Sequence, residues 1–225
     1  MSDSMFGDNS QGVTYTTIVN NKIAIKVDEE EARDGNGNLK PGYRVRKLNA
    51  GPNEGQDRYE RVHDYVTGNL TAVEFKPSDY GTQLILTLEN GENTVKIQTQ
   101  GINDNETLAP FAASFGDQAG MIDVYQPIKI GLTKDKTGKS RGVYIEQNGE
   151  YFPALHKNER FKAHIAQKPQ ATKKAGLGGE EKWDYSAPSA WQYNEIQSLI
   201  EKLVEKGVGA DEASSADEAD SGLPF

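Results

Sequence analysis

The chain contains no cysteine, which excludes disulfides and every cysteine-based zinc or redox site and fits a reducing cytoplasm. It lacks a run of 18 apolar residues, and its first residues, MSDSMFGDNSQG, are polar. Neither a membrane span nor a secretory leader is therefore expected. Histidine is scarce: His63, His156 and His164 are the only three, with neither HxxxH nor HxH spacing, and ordinary surface or packing roles are expected of each. Apolar residues are also few, at 35% with a mean hydropathy of −0.73. That supply suits a folded core of roughly 140 to 150 residues, with the remainder as linker and tail.

Catalytic motifs are missing in turn. Gly138-Lys139-Ser140 has Thr133 where a phosphate loop needs its first glycine, so the backbone cradle is absent. Asp34-Gly35-Asn36-Gly37-Asn38 begins like a calcium loop, but Leu39 stands at the required glycine and Val45 at the closing glutamate. Gly176-Leu177-Gly178-Gly179 follows no strand, and Glu29-Glu30-Glu31 reads as a solvated run. No metal or cofactor is expected.

What is present is a β pattern from Val13 to about Leu155. Residues 13–19 are β-branched, Ile23 to Val27 and Tyr43 to Leu48 alternate, and Thr71, Val73 and Phe75 share one face, as do Leu84, Leu86 and Leu88. Glu89 to Asn93 and Asn148-Gly149 read as hairpin turns. A short helix is expected at 107–115. Val124, Ile128, Ile130 and Leu132 then mark the buried face of a strand from which Tyr125 and Lys129 point outward. Residues 28–41 and 50–57 read as long exposed loops. About seven short strands with one helix between two hairpin groups suit a small Greek-key barrel, the oligonucleotide-binding (OB) type first, although a β-sandwich gives much the same pattern.

The expected organisation is a flexible N-terminus (1–12), an OB-like barrel (13–164), a flexible linker (165–188), an amphipathic helix capped by Ser189 (189–206) and a disordered acidic tail (207–225). The helix carries Trp191, Ile196, Leu199, Ile200, Leu203 and Val204 as an apolar stripe. Packing on the barrel, dimerisation and partner contact all remain open for it.

The net charge of −9 argues against nucleic acid only if it is spread evenly. Five acids, Asp211, Glu212, Asp217, Glu218 and Asp220, lie beyond Lys206, where there is no base; residues 1–206 hold 29 acids against 25 bases. The tail then ends in Leu223, Pro224 and Phe225. Its last residues, Asp220-Ser221-Gly222-Leu223-Pro224-Phe225, resemble the tip of bacterial single-stranded DNA-binding proteins, in which several acids precede an apolar residue, Pro and Phe. That resemblance implies recruitment of replication and recombination proteins by the tip, with Asp217, Glu218 and Asp220 steering and Leu223, Pro224 and Phe225 docking. It also implies competition between the tail and DNA for one groove. Ser221 and Gly222 interrupt the acidic run, the barrel is larger than in bacterial members, and a helix precedes the tail. A divergent phage or mobile-element protein, acting in the cytoplasm of a bacterial or infected cell, fits these departures.

Sequence-tolerant binding of a single strand needs cations along the backbone path and aromatic faces for the bases. Candidates are Tyr43, Arg44, Arg46 and Lys47 on one strand; Arg58, Tyr59, Arg61 and Tyr65 in one interleaved stretch; and Lys96, Tyr125 and Lys129. Lys134, Lys136, Lys139 and Arg141 surround a turn, with Tyr144 behind it. Each has an ordinary alternative, half-buried packing for a tyrosine and solvation for a lysine. The expectation is a non-enzymatic protein that binds single-stranded DNA in replication or recombination. An adaptor without DNA binding, or less readily a metal-dependent nucleic-acid enzyme, is the alternative.

Overall fold

The computed structural model describes residues 12–19, 22–48, 53–78, 81–91, 93–99, 109–134, 140–152, 162–175 and 179–207. The chain is mostly β. Ten strands form one curled sheet: β1 (Gly12–Val19), β2 (Lys22–Val27), β3 (Tyr43–Lys47), β4 (Asp57–His63), β5 (Tyr65–Ser78), β6 (Gly81–Asn90), β7 (Asn93–Gln98), β8 (Ile128–Lys134), β9 (Ser140–Gln147) and β10 (Glu150–Phe152). Their spatial order is β10-β9-β8-β5-β6-β7-β1-β2-β4-β3, antiparallel throughout except where β1 runs parallel to β7. Among the described residues four helices accompany them: α1 (Glu29–Ala32), α2 (Ala109–Ala119), α3 (Lys162–Ile165) and α4 (Ser186–Glu205). More strands are present than the seven or so expected, and β4 runs through the Arg58–Arg61 stretch, for which no strand was expected.

β5 is the hinge of the sheet. Its first residues pair with β8 (Tyr65↔Gly131 to Gly68↔Ile128), and the rest pair with β6. A bulge between Leu70 and Ala72 shifts the register by one residue. Val66 and Leu70 before it, and Val73 after it, can therefore all face the core. The simple alternation expected of Thr71, Val73 and Phe75 breaks at this point, and the Thr71 hydroxyl donates to the Thr87 carbonyl instead.

One face of the sheet is buried under α2 and α4. Leu84, Leu86 and Leu88 of β6, Ile128 and Ile130 of β8 and Ile145 of β9 join Phe115 of α2 and Ile196, Leu199 and Leu203 of α4 in a single apolar cluster. The amphipathic helix thus belongs to the sheet's own core and packs along α2. Val204, read as part of its stripe, is 62% exposed. α4 begins at Ser186, three residues before the expected Ser189 cap, and the Asp184 carboxylate accepts the Ser186 N–H. Hydrogen bonding to Lys174 and to Ser186 holds Asp184 down to about 2. Within the expected linker, β11 (Thr172–Ala175) and β12 (Glu181–Asp184) form a separate hairpin with mostly exposed side chains.

The Asn148-Gly149 turn has φ of 53° and 76°, the left-handed pair that a two-residue hairpin loop demands. Residues 28–41, expected as an open loop, fold compactly. Asp34 accepts the N–H groups of Asn36 and Asn38, Arg33 bridges to Leu39, and Ala32 is fully buried. The expected loop at 50–57 overlaps residues outside the description. No helix among the described residues is long and apolar enough to cross a membrane.

Because Leu199 is fully buried in the shared core, Leu199→Ala should cost about 2–5 kcal/mol in urea unfolding. Val204→Ala on the exposed side should stay within about 0.5 kcal/mol. Equal, small effects would mean that α4 is not part of the cooperative unit.

Candidate nucleic-acid interface

Side chains alternate along a strand, so burying one face under helices assigns every second residue to the other. On β5, β8, β9 and β10 the helix-free face is set by register. Tyr65, Gly131 and Tyr144 stand in one row; Thr67, Lys129, Glu146 and Tyr151 stand in the next. Glycine at 131 leaves the strand bare, and the Tyr144 ring lies across it: a Cβ there would come within 2.4–2.5 Å of the Tyr144 ring and hydroxyl. Tyr144 and Tyr151 approach to 5.1 Å between ring centres, tilted by 41°. Lys129 Nζ sits 4.5 Å from the centre of the Tyr65 ring and 2.8 Å from Glu146 Oε2.

The ionisable groups of the patch include two neutral phenols and one ion pair. Burial raises Tyr144 and Tyr151 above the ordinary phenol range, so both rings stay neutral near pH 7. The hydrogen bond from Lys129 to Glu146 raises the lysine and keeps it charged. Tyr65 and Tyr151 remain 47% and 51% exposed. Three aromatic faces and one cation therefore occupy a patch three to four strands wide. Buried Gln147 supports it from beneath: its amide donates to the Asp123 and Gln126 carbonyls, and its oxygen accepts the Asp123 N–H. These bonds fix the turn that feeds β8.

The structure brings Tyr65, Lys129 and Tyr144 of the expected set together and adds Tyr151, which sequence reasoning missed. The Asn-Gly turn held the signal, since a two-residue loop places Tyr151 opposite Glu146. Lys96 lies farther along the same helix-free face, beside Tyr15, which is 56% exposed and was also missed. Tyr125 is not on β8. It occupies the preceding turn, its N–H bonded to Asp123 and Lys206 above its ring at 5.2 Å.

The remaining expected residues are distributed otherwise. Arg44, Arg46 and Arg58 surround Glu60, on the helix-free face of β3 and β4. Tyr43, Tyr59 and Arg61 are on the opposite face and anchor the 28–41 segment: Tyr43 donates to Glu31, Arg61 lies 3.9 Å from Glu31, and Arg33 reaches Tyr59. Lys47 pairs with Asp57 at 3.0 Å. Lys134 and Arg141 belong by backbone to β8 and β9. Lys136, Lys139, Asp217, Glu218, Asp220, Leu223, Pro224 and Phe225 lie outside the described residues. Among the described residues, no three His, Asp or Glu side chains group as metal ligands would.

Compared with protein-family models, with curated proteins and with solved structures, the chain matches none.

Gly131→Ala should swing the Tyr144 ring off the strand, since the colliding atoms are the far end of a flexible side chain. The aromatic proton shifts of Tyr151 should move while the melting temperature changes little. Unchanged Tyr151 shifts would show that the ring does not depend on the bare glycine.

Proposed function

We propose that the protein binds single-stranded DNA without catalysis and with little sequence preference, through the helix-free face of an OB-like sheet. The observation that carries this reading is the cluster of Tyr65, Tyr144 and Tyr151 with Lys129 among them. Bases of a single strand expose their faces, whereas those of a duplex are stacked on each other. Flat aromatic side chains beside a cation therefore favour the single strand, and every base has a face to offer.

The strand order supports the OB-like part. The meander β5-β6-β7 is followed by α2, after which β8 returns to lie beside β5. The resulting order β8-β5-β6-β7 has the 4-1-2-3 form of a Greek key, and β9 extends it on the β8 side. Replication or recombination is the setting that the tail's resemblance implies. In this reading the acidic tail occupies the face when DNA is absent, and its Leu223-Pro224-Phe225 tip recruits partner proteins once DNA displaces it.

A titration of labelled oligo-dT followed by anisotropy tests the reading. The full chain should bind, more weakly as salt rises. Tyr65→Ala and Tyr144→Ala should each weaken binding by about 1–3 kcal/mol, roughly 5- to 150-fold. A chain ending at Lys206 should bind more tightly than the full chain. Absence of binding by both lengths would overturn the proposal, and strand cleavage with magnesium would replace it with an enzyme.

A further inference from the structure

Three arginines converge on one carboxylate at the far end of the same face. Glu60 on β4 is 1% exposed. Register puts Arg44 directly opposite it on β3, and Arg46 opposite Arg58. Arg44 reaches Glu60 Oε2 with both Nε and Nη2 at 2.7 Å. Arg46 reaches Oε1 with Nε at 3.0 Å and Nη2 at 2.9 Å. Two forked guanidiniums thus take up both oxygens of the carboxylate.

Arg58 arrives third. Its Nε is 3.6 Å from Glu60 Oε1, too far for a hydrogen bond, and this buried nitrogen has no hydrogen-bond partner. The Arg58 side chain keeps only 15% of its surface accessible. Burial pushes its guanidinium below the usual arginine value, and Arg46 adds to the push while Glu60 opposes it. Arginine nevertheless stays charged. One carboxylate among three guanidiniums leaves two positive charges in excess, and a buried donor without a partner is costly. Stability alone gives no reason for a third arginine, whereas an anion at the accessible 15% of its side chain would offset the excess positive charge. The surroundings suit one: Lys26, exposed on β2, stands directly opposite Glu60, and Lys96 and Tyr15 follow on the same face.

We propose that Arg58, with Arg44 and Arg46 held in place by Glu60, seats a backbone phosphodiester of the bound strand. This rests on the reading of the helix-free face as a strand-binding surface. It divides the labour on that face: the tyrosines of β5, β9 and β10 take bases, and the arginines of β3 and β4 take phosphate. Glu60 is a positioning residue that orients two forks without cancelling their charge.

The test measures oligo-dT affinity over a series of salt concentrations for the full chain, Arg58→Gln, Arg58→Lys and Tyr144→Ala. Arg58→Gln should weaken binding at least about tenfold at low salt and reduce the slope of log affinity against log salt by about 0.7. Arg58→Lys keeps the charge, guards against a folding artefact and should retain the slope. Tyr144→Ala should lose affinity at unchanged slope. If Arg58→Gln keeps wild-type affinity and slope while Tyr144→Ala is impaired, the phosphate seat is wrong and the DNA reading stands. If the full chain ignores oligo-dT, the DNA reading itself fails. In parallel, the Arg58 Nε–Hε resonance should shift saturably with oligo-dT. A shift with inorganic phosphate alone, and none with the oligonucleotide, would overturn the assignment to a strand phosphate.

Discussion

The arrangement depends on how the sheet uses its two faces. Leu84, Leu86, Leu88, Ile128, Ile130 and Ile145 need cover from water, and α2 and α4 supply it with Phe115, Ile196, Leu199 and Leu203. Both helices lie on that side of the sheet, so the alternate residues of β5, β8 and β9 must face away from them. Tyr65, Lys129, Tyr144 and Tyr151 owe their common surface to this division. The bulge between Leu70 and Ala72 keeps the division intact along β5: it lets one long strand serve β8 at one end and β6 at the other with Val66, Leu70 and Val73 all inward.

Charge on this face is handled locally. Lys129 shares its charge with Glu146, and Arg44 and Arg46 share Glu60. The overall −9 is thus a poor guide to any one patch, since a formal sum says nothing about which face bears which sign. The proposed base-binding and phosphate-binding groups occupy different strands of one sheet, which suits an extended ligand better than a compact one.

Much of the chain was legible as a sequence. Strands such as Leu84 to Leu88 declare themselves because period-two alternation is a local property, and Asn148-Gly149 declares its turn because few residues tolerate positive φ. Tyr65, Lys129 and Tyr144 were recognisable as candidates by residue type and strand phase. Their assembly was not, because it depends on β5–β8 pairings across 60 to 66 residues. Glu60 stands between Tyr59 and Arg61 in the sequence with nothing local to mark it. Its burial became visible only when β3 placed Arg44 across from it. Tyr125 was misplaced for a tertiary reason: Gln147 of β9 bonds to Asp123 and Gln126 and holds the segment before Ile128 as a turn.

The sequence by itself determined the β-rich class, the hairpin turns, the amphipathic character of residues 189–206 and the segregation of acids beyond Lys206, since each follows from neighbouring residues along the chain. Tertiary structure decided that this helix completes the sheet's core, that Thr172–Ala175 pairs with Glu181–Asp184 and that three tyrosines share one surface. It also decided that three arginines gather round one carboxylate. These outcomes turn on strand order and on which face the helices cover, and both are set by the packing free energy of residues far apart in sequence.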